Sequence, residues 1–323
     1  MLALLVATAP SASIARSPSA PGPIIGVLTE PAPQCSQSNG TKGSCFSSLY
    51  VKWLEAAGAR VAPIPFDASP ERLRELHASV NAVLFTGGGL NLTTPSSQHQ
   101  EVYEEAARLL FDLSMDEHAK TGASVPIWGT CMGFQLITLL TASSRAVLSE
   151  YAYDAEDLSL ALELTDAANA SRIFAALPSE AVRDLRTESI TTNLHHDGVK
   201  PSAFENDPKL KAFWDVLSTN VDRDGLPFVS TIEARGSAPA WGVQWHPERN
   251  QFEFDTYKNI AHTPSSIRAM QAVAAFLVSQ SELNDHRFES KAAEEAVLIY
   301  NFRPSAEEAY SSAHYYFPPT SQK

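Results

Sequence analysis

Cys131 stands between two glycines in Gly129-Thr130-Cys131-Met132-Gly133, directly after the apolar run Val125-Pro126-Ile127-Trp128. A Gly-x-Cys-x-Gly segment in that place reads as a strand turning sharply into a helix, which lifts one side chain to the tip of the turn. A cysteine nucleophile needs its thiolate, and a helix amino terminus and a nearby imidazolium both favour that anion. The turn supplies the first; a histidine has to supply the second. Taken alone, Cys131 reads equally well as a small buried hydrophobe.

Nine histidines compete for the second role. His246 is set apart because it closes the alternating run APAWGVQWHPE, so that it ends a strand as Cys131 does, and because Pro247 favours an extended backbone before it. Glu248, two residues on, can hold the imidazole in one tautomer, the orienting part of a triad. The order Cys131, His246, Glu248 carries far more weight than either short motif alone.

The elements around these residues alternate. IIGVLT reads as a buried strand and Tyr50, Trp53, Leu54 and Ala57 as one helix face, with Gly58 as a stop before the strand ARVAPIPF. Helices are expected over 70–77 and 101–113, with the strand NAVLFT between them and Gly87-Gly88-Gly89 at its end. The strand VPIWG leads into a helix over 131–140. Alternation of this kind predicts an α/β fold with a mostly parallel central sheet, helices on both faces, and a ligand crevice at the carboxyl ends of the strands. From 151 to 240 the shorter candidates ESITTN and LPFVSTIEA suggest small antiparallel additions. An amphipathic helix over 265–280 follows, and the aromatic AHYYF near the end suggests a strap.

The chain has 323 residues, 44% hydrophobic and 19% charged, ordinary for a folded protein. Its formal net charge of -13 argues against a nucleic-acid or anionic-membrane footprint and reads as serving solubility. Residues 1–15 read as a signal peptide and 16–23 as a linker; the catalytic domain is expected over 24–290, with 291–323 as the strap. No later run reaches the roughly 18 apolar residues of a membrane span. Sequons at Asn39, Asn91 and Asn169 fit N-glycosylation on a secretory route. Cys35 and Cys45, in a Ser/Gly-rich loop, are close enough to close a disulfide ring worth roughly 2–3 kcal/mol. That leaves Cys131 unpaired. No metal-ligand cluster stands out, and the chemistry of these residues needs no cofactor.

With these residues in place, the chain resembles the class I glutamine amidotransferase-like superfamily, and within it the γ-glutamyl hydrolases. The resemblance rests on PIIGVL, YVKWLEAAGARV, NAVLFTGG, WGTCMGF, VSTIEA, GVQWHPE and LIYNFRP, in that order. It implies a flavodoxin-like fold, with Cys131 as nucleophile, His246 as general base and acid, and Glu248 as orienting carboxylate. It further implies an oxyanion hole from the backbone of Gly88 and Met132, and substrate contacts at Tyr50, Gly89, Gln135 and His195. The substrate implied is a poly-γ-glutamylated folate, cleaved through a γ-glutamyl thioester in a vacuole, lysosome or extracellular space, and homodimers occur among such proteins. Two departures stand out: Gln135 where these hydrolases usually carry Glu, and CFSSLY where they have an Ala-rich segment. Gln135 keeps a glutaminase or other small γ-glutamyl amidase as the competing reading. A non-catalytic binding protein on the same scaffold is the third.

Overall fold

The computed structural model describes residues 21–31, 43–94, 97–305 and 313–320. The leader, Cys35 and Asn39 lie outside the described residues.

In chain order, the first half comprises β1 (Ile24–Leu28), β2 (Glu30–Pro31), β3 (Ser44–Ser47), α1 (Ser48–Ala56), β4 (Arg60–Ile64), α2 (Pro70–His77), β5 (Ala82–Phe85), α3 (Gln98–Thr121), β6 (Ile127–Thr130) and α4 (Met132–Thr141). There follow β7 (Leu148–Ser149), β8 (Ala155–Leu160), β9 (Glu163–Leu164), α5 (Arg172–Ala176), α6 (Ser179–Thr187), β10 (Thr191–His195), β11 (Gly198–Val199), α7 (Pro201–Asn206) and α8 (Pro208–Phe213). The last elements are β12 (Trp214–Val221), β13 (Pro227–Ala234), β14 (Ala240–Val243), α9 (Pro264–Ser281), α10 (Lys291–Val297) and β15 (His314–Phe317).

The main sheet runs β4-β1-β5-β6-β14-β13-β12-β9. Its first five strands are mutually parallel, and the last three join antiparallel. The parallel strands, counted along the chain, lie in the order 2-1-3-4-5, the flavodoxin-like arrangement, whose switch point falls between β1 and β5. Both faces are covered, which explains the unbroken apolar runs. In β1, Ile24 and Leu28 pack on the side of α2, α3 and α4, while Ile25 and Val27 pack on the side of α1 and α9. Outside the main sheet, β8 pairs with β10, β7 with β11, and β15 with β3 and β2 in a three-stranded sheet.

Two boundaries differ from the sequence reading. The helix expected over 101–113 runs from Gln98 to Thr121, because Ser97 caps its start and Gly122, in the left-handed region at φ 75°, closes it well beyond Leu113. The strand expected to reach His246 stops at Val243. Beyond it the Gln244 N–H donates to the Ser230 carbonyl and the His246 N–H to the Thr192 carbonyl, each at 2.9 Å, so the chain leaves β6 and turns toward β10. Cys45 is disulfide-bonded and Cys131 is free; Cys35, the partner expected for Cys45, lies outside the described residues. Among the described residues no helix is long and apolar enough to cross a membrane.

Candidate active site

Close packing explains both glycines of the nucleophile turn. A Cβ on Gly129 would lie 2.5 Å from the Gly133 carbonyl oxygen, and one on Gly133 would lie 2.1 Å from that of Phe85. Helix α4 therefore starts pressed against the ends of β5 and β6, and a side chain at either position would force it away. Between the glycines, Cys131 adopts φ 51° and ψ -106°, a conformation strained for any residue with a Cβ. Its N–H donates to the Val243 carbonyl at 2.8 Å, fixing the turn to the end of β14. The sulfur receives a hydrogen bond from Gln244 Nε2 at 3.5 Å. The first N–H groups of α4, Met132 included, have no carbonyl to meet within the helix.

The ends of β5, β6 and β14 and the start of α1 converge here. A Cβ on Gly87, just after β5, would sit 2.7 Å from His246 Cε1, 2.9 Å from the Tyr50 hydroxyl and 3.2 Å from Cys131 Cβ. Residue 87 is thus the point where those three side chains meet, and only glycine fits. The Gly87 N–H donates to the Tyr50 hydroxyl at 2.7 Å, which leaves that hydroxyl's own proton free to donate. Burial, and next the Glu248 charge, push the Tyr50 phenol well above its ordinary value, so it stays neutral.

His246 is buried and donates from Nδ1 to Glu248 Oε1 at 2.7 Å. Its Nε2 is buried with no hydrogen-bond partner among the described residues. Burial is the largest influence on this ring and works against its charge. The Glu248 carboxylate and then the Cys131 sulfur outweigh it, and the imidazole is pushed up to about 9. Behind Glu248, Arg249 Nε stands 3.6 Å from Oε1, and Arg249 also pairs with Glu253, which Lys258 holds at 2.7 Å. The charge behind the imidazole is therefore itself compensated.

A cavity of about 190 Å³ opens beside Cys131, lined among others by Gly88, Gly89, Gln135, His195, Glu156 and Tyr151. Gln135 Nε2 donates to the Asp197 carbonyl at 3.0 Å and to Gln244 Oε1 at 3.2 Å. Both amide hydrogens are thereby used, and the carbonyl oxygen is what Gln135 offers the cavity. His195 donates from Nδ1 to the Asp197 carbonyl at 2.9 Å; burial pushes its ring down to about 3, so it is neutral. Its neighbour His196 also lines the cavity, with Nδ1 on the Tyr153 carbonyl at 3.1 Å.

The residues read from the sequence for this site, Cys131, His246, Glu248, Gly88, Met132, Tyr50, Gly89, Gln135 and His195, gather around the turn and its cavity. Sequence reasoning missed Gly87, Gln244, Glu156, Tyr151 and Asp197. Gln244 and Gly87 sit inside quoted motifs, but nothing in their types distinguishes a packing residue from a contact with the sulfur. Of the sequons, Asn169 is exposed, whereas Asn91 Oδ1 accepts from the Thr93 and Thr94 N–H groups at 3.1 and 2.9 Å. His77, Glu117 and His286, far apart in sequence, come close enough to hold a metal ion. Hydrogen bonds account for that contact: His286 Nε2 meets Glu117 at 2.8 Å, and His77 meets Ser114 at 2.9 Å. None of the three lines the cavity.

The sequence matches the Peptidase C26 family over residues 23–248. It is 36% identical to the mouse gamma-glutamyl hydrolase over 283 residues, 87% of this chain and 84% of that one. It is 34% identical to the human gamma-glutamyl hydrolase over 306 residues, 94% and 92% of the two chains. Against gamma-glutamyl hydrolase 1 of Arabidopsis thaliana the identity is 31% over 307 residues, 93% and 84%. A family match over more than two thirds of the chain, with relatives aligned almost end to end, fixes its kinship: the chain belongs to the Peptidase C26 family.

Proposed function

We propose that this protein hydrolyses γ-glutamyl amide bonds through a Cys131 thioester, with poly-γ-glutamylated folates as the substrate class. The hydrolase reading is supported by the family and by relatives named for that activity. The cysteine mechanism is carried by one observation, the meeting of Cys131, His246 and the Tyr50 hydroxyl around Gly87.

The Cys131 thiolate, paired with the His246 imidazolium, attacks the side-chain carbonyl of the glutamyl group. The carbonyl oxygen takes up the negative charge and receives the Gly88 and Met132 N–H groups. His246 passes its Nε2 proton to the leaving nitrogen as the C–N bond breaks, which leaves a γ-glutamyl thioester. The neutral ring then removes a proton from water as it attacks the thioester, and the thiolate departs with His246 protonated again. Glu248 keeps Nδ1 engaged, so that Nε2 is the nitrogen that exchanges protons. The leader read in residues 1–15 puts this chemistry on the secretory route, and recovery of uncleaved protein in the cytosol on fractionation would count against that.

Gln135 favours one second reading, release of ammonia or a small amine from a small γ-glutamyl amide, because its carbonyl suits a substrate's ammonium or N–H. The deciding experiment incubates the purified protein and a Cys131→Ala control with pteroylpenta-γ-glutamate and, separately, with glutamine, and follows products by mass spectrometry. Cys131-dependent shortening of the glutamate chain supports the polyglutamate reading. Consumption of glutamine alone replaces it with the amidase, and no turnover of either removes both.

A further inference from the structure

Glu30 follows β1 at the switch point of the sheet, and its side chain is buried beneath the glycine loop. A Cβ on Gly88 would fall 2.0 Å from Glu30 Oε2 and 2.7 Å from Oε1, so the carboxyl group lies flat against that glycine. Gly88 lines the cavity whereas Glu30 does not, which places the carboxyl group behind the loop. The Thr86 hydroxyl donates to Glu30 Oε1 at 2.6 Å. From α3, Tyr103 is the titratable group that faces it, and the Tyr103 hydroxyl is buried without a hydrogen-bond partner among the described residues. Cys45, opposite Glu30 on β3, is disulfide-bonded and does not titrate. Among the described residues no cation compensates the carboxyl group.

We propose that Glu30 is a positioning residue for the oxyanion loop: protonated, it is a neutral support for Gly88, and ionised, it sets a negative charge directly behind the loop that must receive the developing oxyanion. The proposal rests on the reading of Gly88 as an oxyanion donor. A buried carboxylate with one hydroxyl donor and no counter-charge holds its proton longer than an exposed one, and burial pushes Glu30 up to about 7 against the opposing Thr86 hydrogen bond. A like charge in a water-poor site acts directly on oxyanion stabilisation, since that stabilisation is electrostatic. The loop is therefore at full strength in acid and loses strength as the medium passes through neutrality. No covalent step is added; one proton leaves Glu30 for solvent.

The test is the pH profile of kcat/KM for Cys131-dependent hydrolysis of pteroylpenta-γ-glutamate, from about pH 5 to about pH 10, in the full chain and in Glu30→Gln and Thr86→Val. The wild-type protein is expected to lose about tenfold in a limb near pH 7 and to fall again near pH 9, where His246 loses its proton. Glu30→Gln, which keeps an acceptor for Thr86, should lack the limb near 7, retain the one near 9, and match the wild-type rate in acid within about threefold. Thr86→Val removes the bond that favours the carboxylate, so the same limb should move to higher pH. A wild-type profile flat through pH 7, or a limb that persists in Glu30→Gln, overturns the proposal; if Glu30→Gln does not fold, an unmoved limb in Thr86→Val does so. Activity that survives Cys131→Ala would instead overturn the reading of the site.

Discussion

Glu248 Oε1 accepts the Nδ1 proton of His246 at 2.7 Å, while its second oxygen, equally buried, meets no hydrogen-bond partner among the described residues. Among the described residues the carboxylate's one hydrogen bond is thus to that ring nitrogen, with Arg249 Nε 3.6 Å from the same oxygen. Glu248→Gln keeps the shape and removes the charge. It is expected to lower kcat by about 10⁴-fold, and to move the alkaline limb of the pH profile down from about 9. Pre-steady-state kinetics, with the limb read from acylation alone, checks both. An unchanged limb would mean that Glu248 does not hold the imidazolium.

The two glycines of the turn make a separate prediction. Gly133→Ala places a methyl group 2.1 Å from the Phe85 carbonyl oxygen, a backbone atom that cannot swing aside. The start of α4 has to shift, at a cost of about 1–3 kcal/mol in stability, and Cys131 shifts with it. Urea unfolding and the rate of Cys131 alkylation by iodoacetamide should both change. A variant as stable and as reactive as the wild type would show that the turn is looser than its packing indicates.

The Tyr50 hydroxyl is the acceptor for the Gly87 N–H at 2.7 Å. Tyr50→Phe leaves a buried donor unsatisfied, which costs about 1–3 kcal/mol, and frees the first residue of the glycine loop. The expected result is a fall in kcat of about tenfold with a smaller change in KM, because the loop matters most when the oxyanion forms. An effect confined to KM would make Tyr50 a substrate contact only.

These relationships were unevenly legible in the sequence. Cys131, His246 and Glu248 could be read because their chemistry demands particular residue types at the ends of strands, and such ends are marked by apolar runs that stop at glycine or proline. Helices α2 and α9 came within a residue or so, since Ser69 with Pro70 and Thr263 with Pro264 announce their starts. Glu30 was not legible. An acidic residue after a strand is ordinarily solvated, and only the three-dimensional closure of β3, α3 and the glycine loop around it removes water. Gln244 was hidden for a similar reason: its hydrogen bond to the Cys131 sulfur depends on where β14 ends, and the alternating pattern of APAWGVQWHPE continues past that point.

Gln135 predicts a split between binding and chemistry. Its two N–H groups are used by Asp197 and Gln244, and its carbonyl alone is left to the cavity. Gln135→Leu is expected to raise KM about tenfold for a glutamyl substrate with kcat changed much less, since the lost acceptor serves ground state and transition state alike. Steady-state kinetics on one γ-glutamyl amide is sufficient. A fall in kcat with KM unchanged would assign Gln135 to the alignment of Gln244 and the sulfur.

Stability should peak near pH 6.5, for reasons that can be taken group by group. His195 and His77 are buried, and burial pushes them down to about 3 and about 4. Their folded forms resist protonation, so each removes stability as the pH falls from about 6.5 toward its folded value, by up to about 1.4 kcal/mol per pH unit. Glu30, raised to about 7, works in the opposite sense: its contribution is full below 4.5 and lost as the pH rises through 7. One such group offsets only one of the two histidines. On the alkaline side His246, raised to about 9, contributes fully below 6.5 and loses its contribution as the pH rises through 9. Urea unfolding at pH 4.5, 6.5 and 9 should therefore give the largest free energy at the middle value. His77→Gln should flatten the acid side, and Glu30→Gln should steepen it. Opposite slopes in those two variants would mean that the buried groups are not neutral in the folded protein.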